Sequence, residues 1–264
     1  MSAKENCASS GDTKEDDDIK AAELRDEILF KQPESSHLGD CPICCLPMSL
    51  DEHQNNKSPC CGKRTCNGCL YANQKQEFQQ RLEIKCPFCR HPAPKSNEEA
   101  RSIYNQTLTR RVEANDPAAI CYMGDILYNE KRDYKNAFEY WKKAAELGHI
   151  DAHYNISQLY HKGQGVEKDA KKQIYHLEEA AIGGHVDARH VLGYFEKENG
   201  RGYRALKHTI IAANMGHDDS LEVIKKAFQI GMVSKEEFAA VLRAHRAAVL
   251  ATKSPQREEE ESVR

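Results

Sequence analysis

The sequence predicts a mainly α protein in which a small cysteine-rich module precedes an α-solenoid of paired helices. Two observations carry this reading. Nine of the eleven cysteines fall between Cys41 and Cys89, and the C-terminal half repeats one helix-pair pattern three times. A third, the density of charge at both ends of the chain, predicts arms outside the folded body.

Residues 1–40 hold eleven acidic and five basic side chains and few large apolar ones. Such a segment buries too little surface to offset its ordering entropy, so it reads as a disordered acidic arm. One short helix fits within "IKAAELRDEILF", where Ile19, Leu24, Ile28 and Leu29 approximate a single face. The opening "MSAKENCASSGDTKEDDD" is acidic where a secretory signal would be apolar, and no run reaches the roughly 18 apolar residues of a membrane span. The expected location is the cytoplasm or nucleus.

Residues 41–94 contain four cysteine pairs: Cys41 and Cys44, Cys60 and Cys61, Cys66 and Cys69, Cys86 and Cys89. In a reducing compartment such pairs point to metal rather than to disulfides. Soft thiolates in tetrahedral sets select zinc, and eight donors suit two ions. Cys45, His53 and His91 are alternative donors, whereas Cys7 and Cys121 read as a tail thiol and a buried helix thiol. Residues 41–95 carry eight basic and four acidic side chains. Eight thiolates with two zinc ions would cancel that excess, which makes Lys57, Lys63, Arg64, Lys85 and Arg90 candidate counter-charges and disfavours nucleic acid as a partner.

After the prolines of "HPAP" the pattern changes. Ser96 or Asn97 can cap a linking helix over 96–114. The stretch 115–217 then holds the repeat: "WKKAAELGH", "LEEAAIGGH" and "TIIAANMGH" align on their Ala-Ala and Gly-His pairs, with Ala144 and Ala180 separated by 36 residues and Ala180 and Ala212 by 32. Small residues five apart recur in the preceding helices, as Ala119 with Gly124, Ala152 with Ser157 and Ala188 with Gly193. A period in the middle thirties with two amphipathic helices per unit marks a solenoid whose stacked units bury faces no single unit could bury. Residues 218–250 supply a capping helix pair. Residues 251–264, "TKSPQREEEESVR" with its preceding alanine, read as a disordered charged tail.

The helix pairs resemble Sel-one-like repeats, relatives of the tetratricopeptide repeat, in the "LYHKGQGVEKD" turn, the Ala-Ala pair and the closing Gly-His. The first and third units shorten that turn to "NEKRD" and "EKENGRG". The cysteine module resembles the RING finger, a two-zinc cross-brace in which pairs one and three bind one ion and pairs two and four the other. That resemblance implies one set of Cys41, Cys44, Cys66 and Cys69 and a second of Cys60, Cys61, Cys86 and Cys89. The usual RING turn carries a histidine, but "CGKRTCNGC" has Lys63 there, whose ammonium must lose a proton before it can coordinate. Cys60 is the substitute in an all-cysteine variant, with Cys45, His53 and His91 still open for that position.

Zinc held by four thiolates has no open coordination position, so neither ion is expected to activate water. The RING resemblance implies instead a ubiquitin ligase without a covalent intermediate. Ile43, Pro87 and Phe88 would contact a ubiquitin-conjugating enzyme, and Arg90 would bridge that enzyme and ubiquitin as an orienting linchpin, a task suited to its planar set of donors. Leu70, Tyr71, Phe78 and Leu82 compete for a further apolar contact. The repeats would hold a protein substrate or scaffold. The alternative is a non-catalytic zinc-binding scaffold that mediates protein-protein interactions.

Overall fold

The computed structural model describes residues 12–263. Twelve α-helices and one two-stranded sheet make up these residues. Helix α1 (Asp12–Leu29) leads into an extended segment and then the cysteine module, which contains β1 (Asn55–Lys57), β2 (Arg64–Cys66) and α2 (Asn67–Gln79). The strands pair antiparallel, with Asn56 opposite Thr65. Helix α3 (Asn97–Glu113) follows, its first turn capped by the Ser96 hydroxyl, which accepts from the Glu99 amide.

The solenoid is three helix pairs: α4 (Pro117–Asn129) with α5 (Tyr134–Glu146), α6 (Ile150–Lys162) with α7 (Ala170–Ile182), and α8 (Val186–Glu198) with α9 (Gly202–Asn214). A fourth pair, α10 (Asp218–Gln229) and α11 (Lys235–Ala251), closes the stack on Ala213, Leu221, Ile224 and Val241. The recurring Gly-His has a double duty. Gly148, Gly184 and Gly216 adopt left-handed backbone at φ 84°, 87° and 93°, ending one pair, and the histidine after each begins the next helix. His185 and His217 accept amide bonds from Ala188 and Ser220 through Nδ1. The small residues are fully buried where helices cross, among them Ala119, Ala144, Ala152, Ala180, Ala188 and Ala212.

Both ends depart from the disordered arms that their composition predicts. In the first arm, residues 12–29 are helical, and residues 1–11 lie outside the described part. Leu29, 1% exposed, packs with Leu177, Ala180, Ala181 and Leu192. Arg25 pairs with Glu178 and Glu179, and Asp26 with Arg204. The fully buried Arg189 donates to the carbonyls of Leu29 and Lys31, the partially negative C-terminal end of α1. These partners lie about 150 or more residues away in sequence, which is why local composition misses them.

The second arm, 251–264, contains α12 (Pro255–Ser262), capped by Ser254 and opened by a proline at its first turn. It lies on α2, with Lys75 paired to Glu259. The cysteine module is thus held by both ends of the repeat array. On its other side, the Lys57 ammonium sits 4.6 Å from the ring centre of Tyr122 on α4, and the Thr107 hydroxyl of α3 donates to the Cys60 carbonyl. None of the described helices is long and apolar enough to cross a membrane.

Candidate metal centre

Two knuckles of the same design build the centre. In the first, the Cys41 amide donates to the Leu46 carbonyl at 2.9 Å and the Cys45 amide returns to the Cys41 carbonyl at 2.8 Å. In the second, the Cys86 amide donates to His91 at 2.8 Å and the Arg90 amide to Cys86 at 3.1 Å. An isolated bridge closes each loop, between Asp40 and Pro47 and between Lys85 and Pro92. Cys45 and Arg90 therefore occupy equivalent places at the knuckle ends, and both have left-handed backbone, at φ 55° and 59°. That turn carries each side chain outward: Cys45 and Arg90 are both exposed.

The hairpin and α2 supply the remaining sulfurs. The Gly62 amide donates to Ser58 and the Ser58 amide to Lys63, a tight turn that presents Cys60 and Cys61 side by side. Cys66 ends β2 and caps α2, its sulfur accepting from the Cys69 amide at 3.4 Å. The result is two groups, Cys41, Cys44, Cys66 and Cys69 in one and Cys60, Cys61, Cys86 and Cys89 in the other, the sulfurs of each lying within 4.8 Å of one another. Cys45, His53 and His91 belong to neither group. None of the ten described cysteines is in a disulfide.

These sets fit a tetrahedral metal ion. Zinc-thiolate bonds of about 2.3 Å at tetrahedral angles put sulfurs roughly 3.8 Å apart. Cys44 and Cys66 are separated by 3.9 Å, Cys61 and Cys86 by 3.8 Å, and Cys60 and Cys89 by 3.3 Å. The electrostatics agree. Burial raises the thiols, yet the amides of Cys44, Cys66 and Ile43 bring Cys41 down to about 7, and those of Cys89 and Phe88 bring Cys86 down to about 6. Burial and neighbouring sulfurs push Cys60, Cys61, Cys66 and Cys69 up. A divalent ion would offset the repulsion between sulfurs that helps push Cys60, Cys61, Cys66 and Cys69 up. With four sulfurs per ion, the sets are closed and suited to structure rather than to water activation.

A third group, His37, Asp151 and His185, also brings three possible ligands together. The His37 and His185 rings are stacked, 5° from parallel with centres 4.2 Å apart. In-plane lone pairs of parallel rings cannot converge on one ion. This cluster is a packing contact between the segment after α1 and the repeats.

The residues expected to face a partner lie around the knuckles. Ile43 is 43% exposed, and Pro87 and Phe88 are half-buried. The Arg90 side chain, 61% exposed, reaches 3.4 Å from Glu77 Oε1 on α2. Glu77 is itself fixed, its other oxygen accepting from the Lys85 amide and the Asn73 side chain. Among the further candidates, Leu70 and Tyr71 are half-buried, whereas Phe78 and Leu82 are exposed. Of the predicted counter-charges, Lys57 faces Tyr122 and Lys85 pairs with Glu83. The cation that does reach a sulfur is Arg257, from the predicted tail, 3.4 Å from Cys44 Sγ. No spacing rule in the sequence could have pointed to it.

Comparisons with known proteins bear on the helix pairs. Residues 117–149 and 150–185 each match the Sel1 repeat. The chain therefore carries Sel1 repeats, which generally mediate protein-protein interactions. A 97-residue stretch is 33% identical to chitin synthase regulatory factor 2 of Schizosaccharomyces pombe (strain 972 / ATCC 24843), covering 36% of this chain and 18% of that protein. The chain thus spans less than a fifth of that relative's length. Among solved structures, it is similar to a Sel1 repeat protein from Oxalobacter formigenes, with a TM-score of 0.46 at 25% identity over 55% of this chain and 65% of the other. A protective antigen of uropathogenic Escherichia coli strains that displays an SLR fold gives 0.43 at 18% identity, over 75% and 41%.

Proposed function

We propose that this Sel1-repeat chain is a RING-type ubiquitin ligase of the cytoplasm or nucleus that holds two structural zinc ions. The observation that carries the reading is the interleaving of the cysteine pairs, one with three and two with four, which matches the cross-brace of the RING resemblance. The zinc ions would brace the two knuckles and take no part in chemistry. The chain's own residues do the rest. Ile43 on the first knuckle and Pro87 and Phe88 on the second offer an apolar contact for a ubiquitin-conjugating enzyme. Arg90, anchored from α2 by Glu77, would donate to enzyme and ubiquitin together and hold the thioester in a reactive orientation. The repeats would bring a protein substrate or scaffold within reach.

The test is autoubiquitination by the zinc-loaded full chain with a panel of conjugating enzymes. Ubiquitin chains form with wild type, and Arg90→Ala abolishes them while both ions stay bound. Two bound ions with no transfer by any panel member would replace the ligase with the non-catalytic scaffold.

A further inference from the structure

Arg257 is a permanent cation only 7% exposed, although the four residues after it are glutamates in a solvent-facing helix. Its guanidinium turns away from them. Nη1 donates to the Pro47 carbonyl at 2.8 Å and to the Thr252 carbonyl, and Nη2 to the Leu46 carbonyl at 3.3 Å and to Cys44 Sγ at 3.4 Å. Carbonyls orient a guanidinium but do not neutralise it, and a buried charge without a counter-ion is strongly destabilising. Among the described residues no carboxylate forms an ion pair with Arg257; apart from backbone carbonyls, the group its guanidinium reaches is Cys44 Sγ. Four thiolates around a divalent ion carry a formal charge of minus two. With that ion bound, the buried cation and an anionic cluster would meet at the first knuckle.

The approach of α12 is built for this contact. Gly68, in the first turn of α2, has no side chain, and a Cβ there would lie 2.6 Å from the Arg257 amide nitrogen. Ser254 caps α12 and Lys75 holds Glu259. Among the described residues no cation hydrogen-bonds to a sulfur of the second set: Arg111 lies against Gly62, beside Cys61, but pairs with Asp116, while Lys85 pairs with Glu83 and Arg90 with Glu77. We infer that Arg257 is a positioning residue of the first metal set, through which the C-terminal helix retains the ion held by Cys41, Cys44, Cys66 and Cys69. The inference rests on the zinc reading above. By linkage, the ion strengthens docking of α12 as much as docked α12 strengthens retention of the ion.

Outer-shell partners typically alter metal affinity by about 10- to 100-fold. Zinc transfer from the loaded full chain to an excess of chromophoric chelator reads this directly. For Arg257→Gln, one of the two ions is released on the order of 10- to 100-fold faster and the other at the wild-type rate. The accelerated phase disappears in a Cys41→Ser, Cys44→Ser background, which lacks the first set. Arg257→Lys, which keeps the charge but not the fork, falls between. Circular dichroism melting of the repeats stays unchanged, which separates the effect from general loosening. Unaltered release of both ions from Arg257→Gln, or equal acceleration of both, overturns the inference while leaving a two-zinc wild type intact. A wild-type chain that takes up no zinc overturns the zinc reading, and this inference with it.

Discussion

Leu29→Ala tests whether the acidic arm is part of the fold. Leu29 ends α1, is 1% exposed and packs against Leu177, Ala180, Ala181 and Leu192 from two successive repeat units. Truncating a leucine so enclosed costs about 2–5 kcal/mol, the transfer of the lost atoms plus the cavity left behind. Taking roughly 3 kcal/mol, the population of undocked α1 rises about 100-fold. Amide hydrogen exchange over residues 20–30 should accelerate by that factor, because local opening governs exchange there. If docking is instead lost only with the repeats, the melting temperature falls by roughly 6–12 °C. Leu24→Ala on the same helix, at 59% exposure, is the control and should change stability by no more than about 0.5 kcal/mol. Wild-type amides over 20–30 exchanging at unprotected rates, or unchanged exchange and melting in Leu29→Ala, would refute the docked helix.

Gly124→Ala places a Cβ 2.5 Å from Trp141 Cδ1 and should destabilise the first repeat by about 1–3 kcal/mol through overpacking, read by thermal melting; wild-type stability would mean the helices are less tightly crossed. Burial holds the His185 imidazole down at about 4 and His208 at about 3, with Arg189 and Arg204 adding to the latter and His37 to the former. Their unfolded forms take up protons near 6.5, so the unfolded chain binds more protons as pH falls below that value. The stability these two imidazoles contribute is therefore full above about pH 7 and declines from about pH 6.5, down to about 4 for His185 and about 3 for His208. Among the described residues neither nitrogen of His208 has a hydrogen-bond partner, so His208→Leu should flatten part of that decline without loss of stability at pH 7.5; an unchanged slope in denaturant titrations would contradict this.

The repeats were legible because their signals are local. Gly-His recurs where a left-handed cap must be followed by a helix start, and alanines recur where helices cross. The cysteine sets follow from spacing once the RING resemblance supplies the interleaving, and the structure adds why Cys45 stands outside: it occupies the same outward, left-handed place as Arg90. What composition could not convey is long-range compensation. Charge-rich ends predict disorder only if their charges find no partners, yet Asp26 meets Arg204, Arg25 meets Glu178, and Lys75 meets Glu259. Arg257 was hidden for the same reason. Its partners in the cysteine module, Leu46, Pro47 and Cys44, lie more than two hundred residues upstream.

The central claim, that eight cysteines form two closed zinc sets with Cys60 as the eighth donor, is tested most directly by the zinc stoichiometry of the purified full chain under native mass spectrometry. Two ions per chain are expected for wild type and for Lys63→Ala, and one for Cys60→Ala. Two tightly held ions in Cys60→Ala, or fewer than two in wild type, would contradict it.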